Sequence, residues 1–165
     1  MIDASRASPA VRLEAAFTRI WRTRMAGLPF LNPALRVQAV GFRPWQGQWL
    51  GALVTPWSVN LVLMPGEGPW PALAKGAERF VDLPAGRFRF IAGEDAEIGE
   101  HHACSLFSPA LEFADHETAR AVAEASLAAL FDAGLDQAEV RAPSRVSKRD
   151  FIRARFSPQR HDDRG

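Results

Sequence analysis

Hydrophobic and polar positions change their spacing along this chain, and each change predicts a different element. From Ser8 to about Met25 the apolar residues Leu13, Ala16, Phe17, Ile20 and Trp21 recur at steps of three and four, which lines one face of a helix. Ser8 followed by Pro9 is a start signal, because a serine hydroxyl accepts from an early backbone N–H and proline is tolerated at the first helical position. Arg12, Arg19 and Arg22 fall on the other side of that helix, and Gly27 supplies a left-handed stop. Residues 28–35, LPFLNPAL, form a proline-punctuated loop. From Val37 the step drops towards two and predicts strands at VQAVGF (37–42), GQWLGALVT (47–55) and WSVNLVLM (57–64). The second of these is apolar on both faces, as a central strand is, and Pro56 belongs to the corner that follows because proline cannot donate to a sheet ladder.

The turn cluster PGEGPWP (65–71) comes next, and WPALAKGAERF (70–80) predicts a short helix. LPAGRFRFIAGE (83–94) opens another strand, with Phe88 and Phe90 on one face and Arg87 and Arg89 on the other. GEDAEIGE (93–100) reads as an acidic loop carrying Glu94, Asp95, Glu97 and Glu100, and HHACSLFSPALEF (101–113) as the last strand. Asp115 caps a second long helix whose stripe is Ala119, Val122, Ala123, Leu127, Leu130 and Phe131, ending at Gly134. Beyond Ala138 the periodicity fades, so a domain over 1–140 is followed by a basic tail over 141–165. Helix, hairpin-connected strands and helix predict a single α+β domain: an antiparallel sheet with the two long helices packed on one face.

Composition supports one domain, since a chain of 165 residues that is 47% hydrophobic can build one sizeable core. A net charge of +1 conceals basic ends on an acidic body: residues 25–140 hold seven basic against fourteen acidic groups, and residues 141–165 eight against three. That acidic body argues against nucleic acid, because it repels a polyanion and the basic tail lacks interleaved aromatics. The amino terminus offers no apolar signal core, and the longest apolar stretch, Leu50 to Met64, is broken by Thr55, Pro56, Ser58 and Asn60. The expectation is a cytoplasmic protein that does not insert into a membrane.

Candidate chemistry is sparse. The lone cysteine, Cys104, allows neither an intramolecular disulfide nor a cysteine cage. In His101-His102-x-Cys104, His102 and Cys104 would share a strand face and Glu97 or His116 could supply a third ligand, yet zinc and nickel sites want four ligands in fixed geometry. A small metal- or thiol-dependent carrier or enzyme using His101, His102, Cys104 and His116 is therefore the second reading. No nucleophile elbow, phosphate-binding loop or dinucleotide fingerprint occurs, so neither catalysis nor a cofactor is expected. The aromatic set is uneven, with five tryptophans and no tyrosine. Trp45, Trp49, Trp57 and Trp70 crowd the strand region, where they either pack or form a recognition patch.

Taken together, F-x-P-W-Q-G-Q-W-L-G-x-L-V-T-P-W (42–57), M-P-G (64–66), L-P-A-G-x-F-x-F (83–90) and A-C-S-L-F-S-P (103–109) resemble the nickel-iron hydrogenase assembly chaperone family called HybE or HupJ. The resemblance implies an α+β accessory protein without catalytic activity that acts in the cytoplasm on hydrogenase subunit precursors, and with other accessory proteins, before export. Partner binding is expected at Trp49, Thr55, Pro56, Trp57, Gly66, Cys104 and Ser105, which sit in those motifs, and at Trp45 and Trp70 of the tryptophan-rich strand region. The resemblance also gives meaning to SKRDFIR (147–153), which is similar to a twin-arginine export signal but lies at the wrong end of the chain, with no apolar run after it. Two expectations stand: an internal mimic, in which Lys148, Arg149, Phe151 and Arg153 occupy the site of a client's signal with Glu94, Asp95, Glu97 and Glu100 as the acidic cradle, or a tail and loop that are independently solvated, SKRDFIR being a chance match or a docking peptide for another assembly protein.

Overall fold

A computed structural model describes residues 8–132. Lys148, Arg149, Phe151 and Arg153, and with them the boundary expected at residue 140, lie outside the described residues. The chain runs through α1 (Ala10–Ile20), continued by a π turn over Trp21–Met25, then β1 (Gln38–Trp45), β2 (Gln48–Val54), β3 (Val59–Pro65), β4 (Glu78–Leu83), β5 (Gly86–Asp95), β6 (Gly99–Phe107) and α2 (His116–Leu130). The expected signals operate locally. Gly27 takes φ +80° after the helix, and the Asp115 carboxylate accepts from Thr118 N at 2.7 Å to cap α2. Gln46 and Gly47 both have positive φ in the two-residue turn that joins β1 to β2, as a tight hairpin of right-handed twist requires.

All six strands join one antiparallel sheet in the order β1-β2-β3-β6-β5-β4. The α+β, single-domain reading is the observed architecture. The order also makes β4 an outer strand and sends residues 66–77 across one end of the sheet.

The two helices, expected on one face, lie on opposite faces. Leu50, Ala52, Val54, Leu61, Leu63 and Cys104 pack with Ala119, Ala123 and Leu127 of α2, whereas Leu53, Val62 and Met64 pack with Leu13 and Ala16 of α1. The cause is written in β2 and β3. Their residues alternate between faces yet are apolar at nearly every position, so each face exposes hydrocarbon and each needs a helix to cover it.

Two further expectations are corrected. No helix forms over 70–80; residues 78–83 are β4, and the preceding segment is held by a distant side chain, Glu100, whose Oε1 accepts from Leu73 N at 3.1 Å. Nor is 93–100 a loop. β5 extends to Asp95 and β6 begins at Gly99, with Glu94 opposite Glu100 and Asp95 opposite Gly99, so only 96–98 turn. Gly99 at φ +72° and the Asp95 carboxylate, which accepts from Glu97 N at 2.9 Å, close that hairpin without a longer loop.

Candidate partner-binding site

Thr55-Pro56-Trp57-Ser58 is the corner between β2 and β3, and its parts do different work. Thr55 is buried and ties the turn together: its N–H donates to Ser58 O at 2.8 Å and its Oγ1 accepts from Ser58 N at 3.0 Å. The Pro56 carbonyl accepts from Asn32 N at 2.7 Å. This frame carries Trp57 to the α1 side, where it is half-buried and stacks on Phe17 with ring centroids 6.4 Å apart. Phe17 meets His101 edge-on at 5.9 Å, so Trp57, Phe17 and His101 make an aromatic row along α1.

Beyond that row no described residue lies over the sheet. The register aligns Val62, Ala103, Ile91 and Glu78 across β3, β6, β5 and β4 on this face; beside them Asn60 pairs with Ser105 and Phe80 with Arg89. α1 covers the β1–β3 side and reaches further only at His101, Asp95 and the β5–β6 turn. Phe80 is 57% and Ile91 42% exposed, Ser105 is exposed, and the charges around them form the surface pairs Arg89–Glu78 and Arg87–Asp82, each at 3.0 Å. Asn60 Oδ1, at the inner margin, is buried without a hydrogen-bond partner among the described residues.

The acidic stretch divides between the two sides of the sheet. Asp95 faces α1, where Arg19 Nη2 approaches both carboxylate oxygens at 3.0 and 2.8 Å while Arg19 Nε lies 3.1 Å from Glu97. Arg19, expected to face solvent, therefore clasps α1 to the β5–β6 turn; its reach along an apolar stem is what a helical wheel cannot show. Burial works against ionisation of Asp95, but the Glu97 N–H and the Arg19 guanidinium outweigh it and hold the carboxyl below its usual range. Glu100 faces the other way and accepts from Leu73 N, Trp70 Nε1 and His102 Nε2. Glu94 and Glu97 alone stay exposed. The four carboxylates thus do not converge into one cradle.

Behind Glu100 sits a polar cluster missed in the sequence. Arg79 Nη1 lies 3.1 Å from both Gln48 Oε1 and His102 Nδ1, and the Trp70 ring stacks on His102 at 4.3 Å. Since guanidinium can only donate, His102 Nδ1 accepts and its proton sits on Nε2, facing Glu100. Burial and the Arg79 charge push the His102 pKa down against the opposing pull of Glu100. Glu100 is thus the staple of the 66–77 segment. A Glu100→Gln substitution, which leaves one acceptor oxygen for three donors, is expected to cost about 2 kcal/mol in urea unfolding and to raise hydrogen exchange at Leu73. The outcome that sinks this is an unchanged Leu73 exchange rate.

The remaining expected residues scatter. Trp45 packs on the α2 side and Trp49 on the α1 side, so the tryptophans form no single patch. Gly66 is structural: an added Cβ would lie 2.4 Å from Gly47 O. Cys104 is buried in the α2-side core. His101 and His102 point to opposite faces, and His116 is elsewhere, accepting from Arg36 N at 3.2 Å and bonded to Gln38 Oε1 at 2.7 Å. Among the described residues no three histidine, cysteine or carboxylate side chains group as a metal site, so the second reading lacks a convergent donor set. No helix of the described residues is long and apolar enough to cross a membrane.

The family described as [NiFe]-hydrogenase assembly chaperone, HybE, matches residues 8–154. The hydrogenase expression/formation protein HupJ of Bradyrhizobium diazoefficiens is 39% identical over 155 residues, spanning 90% of this chain and 89% of HupJ. The hydrogenase expression/formation protein HupT of Azotobacter chroococcum is 38% identical, spanning 84% of this chain and 90% of its own. A solution structure of HybE from Escherichia coli superposes with a TM-score of 0.64 at 30% identity, covering 76% of this chain and 78% of that one.

Proposed function

The chain belongs to the HybE family of [NiFe]-hydrogenase assembly chaperones, and from that membership we propose that it binds the precursor of an uptake-hydrogenase subunit in the cytoplasm, holding the twin-arginine signal of the small subunit until export. It does so by association alone, without turning over a substrate. The observation that carries this reading is the Trp57–Phe17–His101 row beside an uncovered half of the sheet, a rigid apolar edge next to mixed charge. Tryptophan on a rigid corner offers large contact area at little entropic cost. The corner holds its geometry through Thr55 and Pro56, which supports a positioning role for those two, and the exposed Ser105 lies on the same face. Glu94 is exposed, and Glu97, though it pairs with Arg19, is about half exposed, so both can meet a client guanidinium.

Affinity capture from cells producing the hydrogenase, with each subunit gene deleted in turn, tests the proposal. The small-subunit precursor is expected to co-purify with the wild type. Its recovery should fall by about tenfold or more with Trp57→Ala, the loss of one aromatic anchor. Absence of both subunits from the captured material, or equal recovery by the variant, would overturn it.

A further inference from the structure

The bare half of the sheet is a face that the chain's own carboxyl-terminal part is placed to cover. Phe80 and Ile91 are two of the most exposed large apolar side chains among the described residues, and they stand diagonally across β4 and β5 on one face. Such a pair normally marks a contact. The described chain ends on the opposite, α2 side but at the corner nearest to it: Leu130, in the last turn of α2, accepts through its carbonyl from Ala85 N at 3.0 Å, in the turn that joins β4 to β5. Residue 132, the last described, therefore lies near the outer-strand corner of the sheet, one edge away from the Phe80–Ile91 face. The family match runs on to residue 154, well past that point, so the stretch 133–154 is part of what defines the family pattern.

We propose that residues 147–153, Ser-Lys-Arg-Asp-Phe-Ile-Arg, occupy the Phe80–Ile91 face of the same molecule. Phe151 and Ile152 match the apolar pair in size and number. Around them the segment carries both signs, Lys148, Arg149 and Arg153 with Asp150, as the face does with Glu78, Asp82, Arg87 and Arg89. Both carboxylates of the face are at least half exposed, so they can turn towards added cations. The reach is ample. From Leu83 to Phe80 along β4 and round the sheet edge is roughly 20 Å at strand and layer spacings, whereas the span from Asp132 to Phe151 can extend to about 60 Å. Tethering at that length holds the segment at an effective concentration near millimolar, enough for a weak contact to be filled. The contact is intramolecular and does not depend on the identity of the client.

The test uses the purified full-length chain with no hydrogenase present. p-Benzoylphenylalanine is placed at position 80, or at Val11 as a control, since Val11 is 78% exposed on α1. Illumination at position 80 is expected to yield a monomer crosslinked to a peptide within 141–156, and the Val11 control is expected to give none there. Phe151→Ser combined with Ile152→Ser should lower the yield by about tenfold, the loss of two apolar contacts. A covalent dimer overturns the proposal in favour of a second copy on this face. Crosslinks confined to residues 8–132, or a yield untouched by the double substitution, overturn it as well.

Discussion

Replacing Asn32 with alanine is expected to destabilise the protein by about 3–5 kcal/mol, because the side chain satisfies two buried carbonyls, each of which would otherwise cost about 1–3 kcal/mol, and a part-buried N–H. Asn32 is buried, and its amide nitrogen donates to Ala110 O at 2.9 Å and Phe113 O at 2.8 Å while its oxygen accepts from Ala34 N at 3.0 Å. Two acceptors on one side and one donor on the other settle which way the amide points. The clasp holds the connection from α1 to β1 against the connection from β6 to α2, and Asn32 N adds the bond to Pro56 at the corner that presents Trp57. Asn32→Asp should be at least as damaging at neutral pH, since it sets a carboxylate oxygen against two carbonyl oxygens. Urea unfolding at fixed pH measures both. A loss below about 1 kcal/mol for alanine would mean that relaxation or water replaces the clasp.

Acidification is expected to unfold the protein in two stages. His102 and His116 have pKa values lowered from 6.5, in each case first by burial, with Arg79 and Arg36 respectively adding repulsion. The unfolded chain therefore binds more protons than the folded one just below pH 6.5, so stability is complete above that pH and falls as pH drops through it. Each histidine contributes a slope of up to about 1.4 kcal/mol per pH unit until its folded pKa is reached. The structural reason agrees with the sign: a proton on His102 Nδ1 meets the Arg79 guanidinium, and one on His116 Nδ1 abolishes the bond from Arg36 N. The second stage belongs to Asp95 and Glu100, whose pKa values are lowered from 3.8 and 4.5 although burial pushes the other way. Their contribution is present above those ordinary values and is lost as pH falls through the depressed ones. Urea midpoints from pH 8 to pH 4 check the first stage. Substituting His102→Gln and His116→Gln should flatten the slope below about pH 6.5, and a slope that persists would assign it to other groups.

The same residues explain why some of this was legible beforehand and some was not. The Thr55-Pro56 corner, the Asp115 cap and the stop at Gly27 rest on interactions within a few residues, and they appear where the sequence places them. The segment before β4 reads as helix because Ala-Leu-Ala-Lys (72–75) favours it, while the partner that holds it extended, Glu100, comes from another strand. Arg19 looked solvent-facing because periodicity describes the backbone direction of a side chain and not the length of its reach. For Trp45, Trp49 and Trp70 the composition signalled an aromatic-rich sheet but could not distribute the rings between two sides.

The amino-acid order alone determined the two helices, the strand-rich middle, the corner motif and the family resemblance, since each depends on neighbours in the chain. Only the tertiary structure decided which helix covers which side, that Asp95 and Glu100 turn away from one another, and that Phe80 and Ile91 are left uncovered. The physical reason is that β6 pairs between β3 and β5. Hydrophobic spacing states which residues share a face, while strand order, set by the burial of the whole sheet, decides what lies over that face.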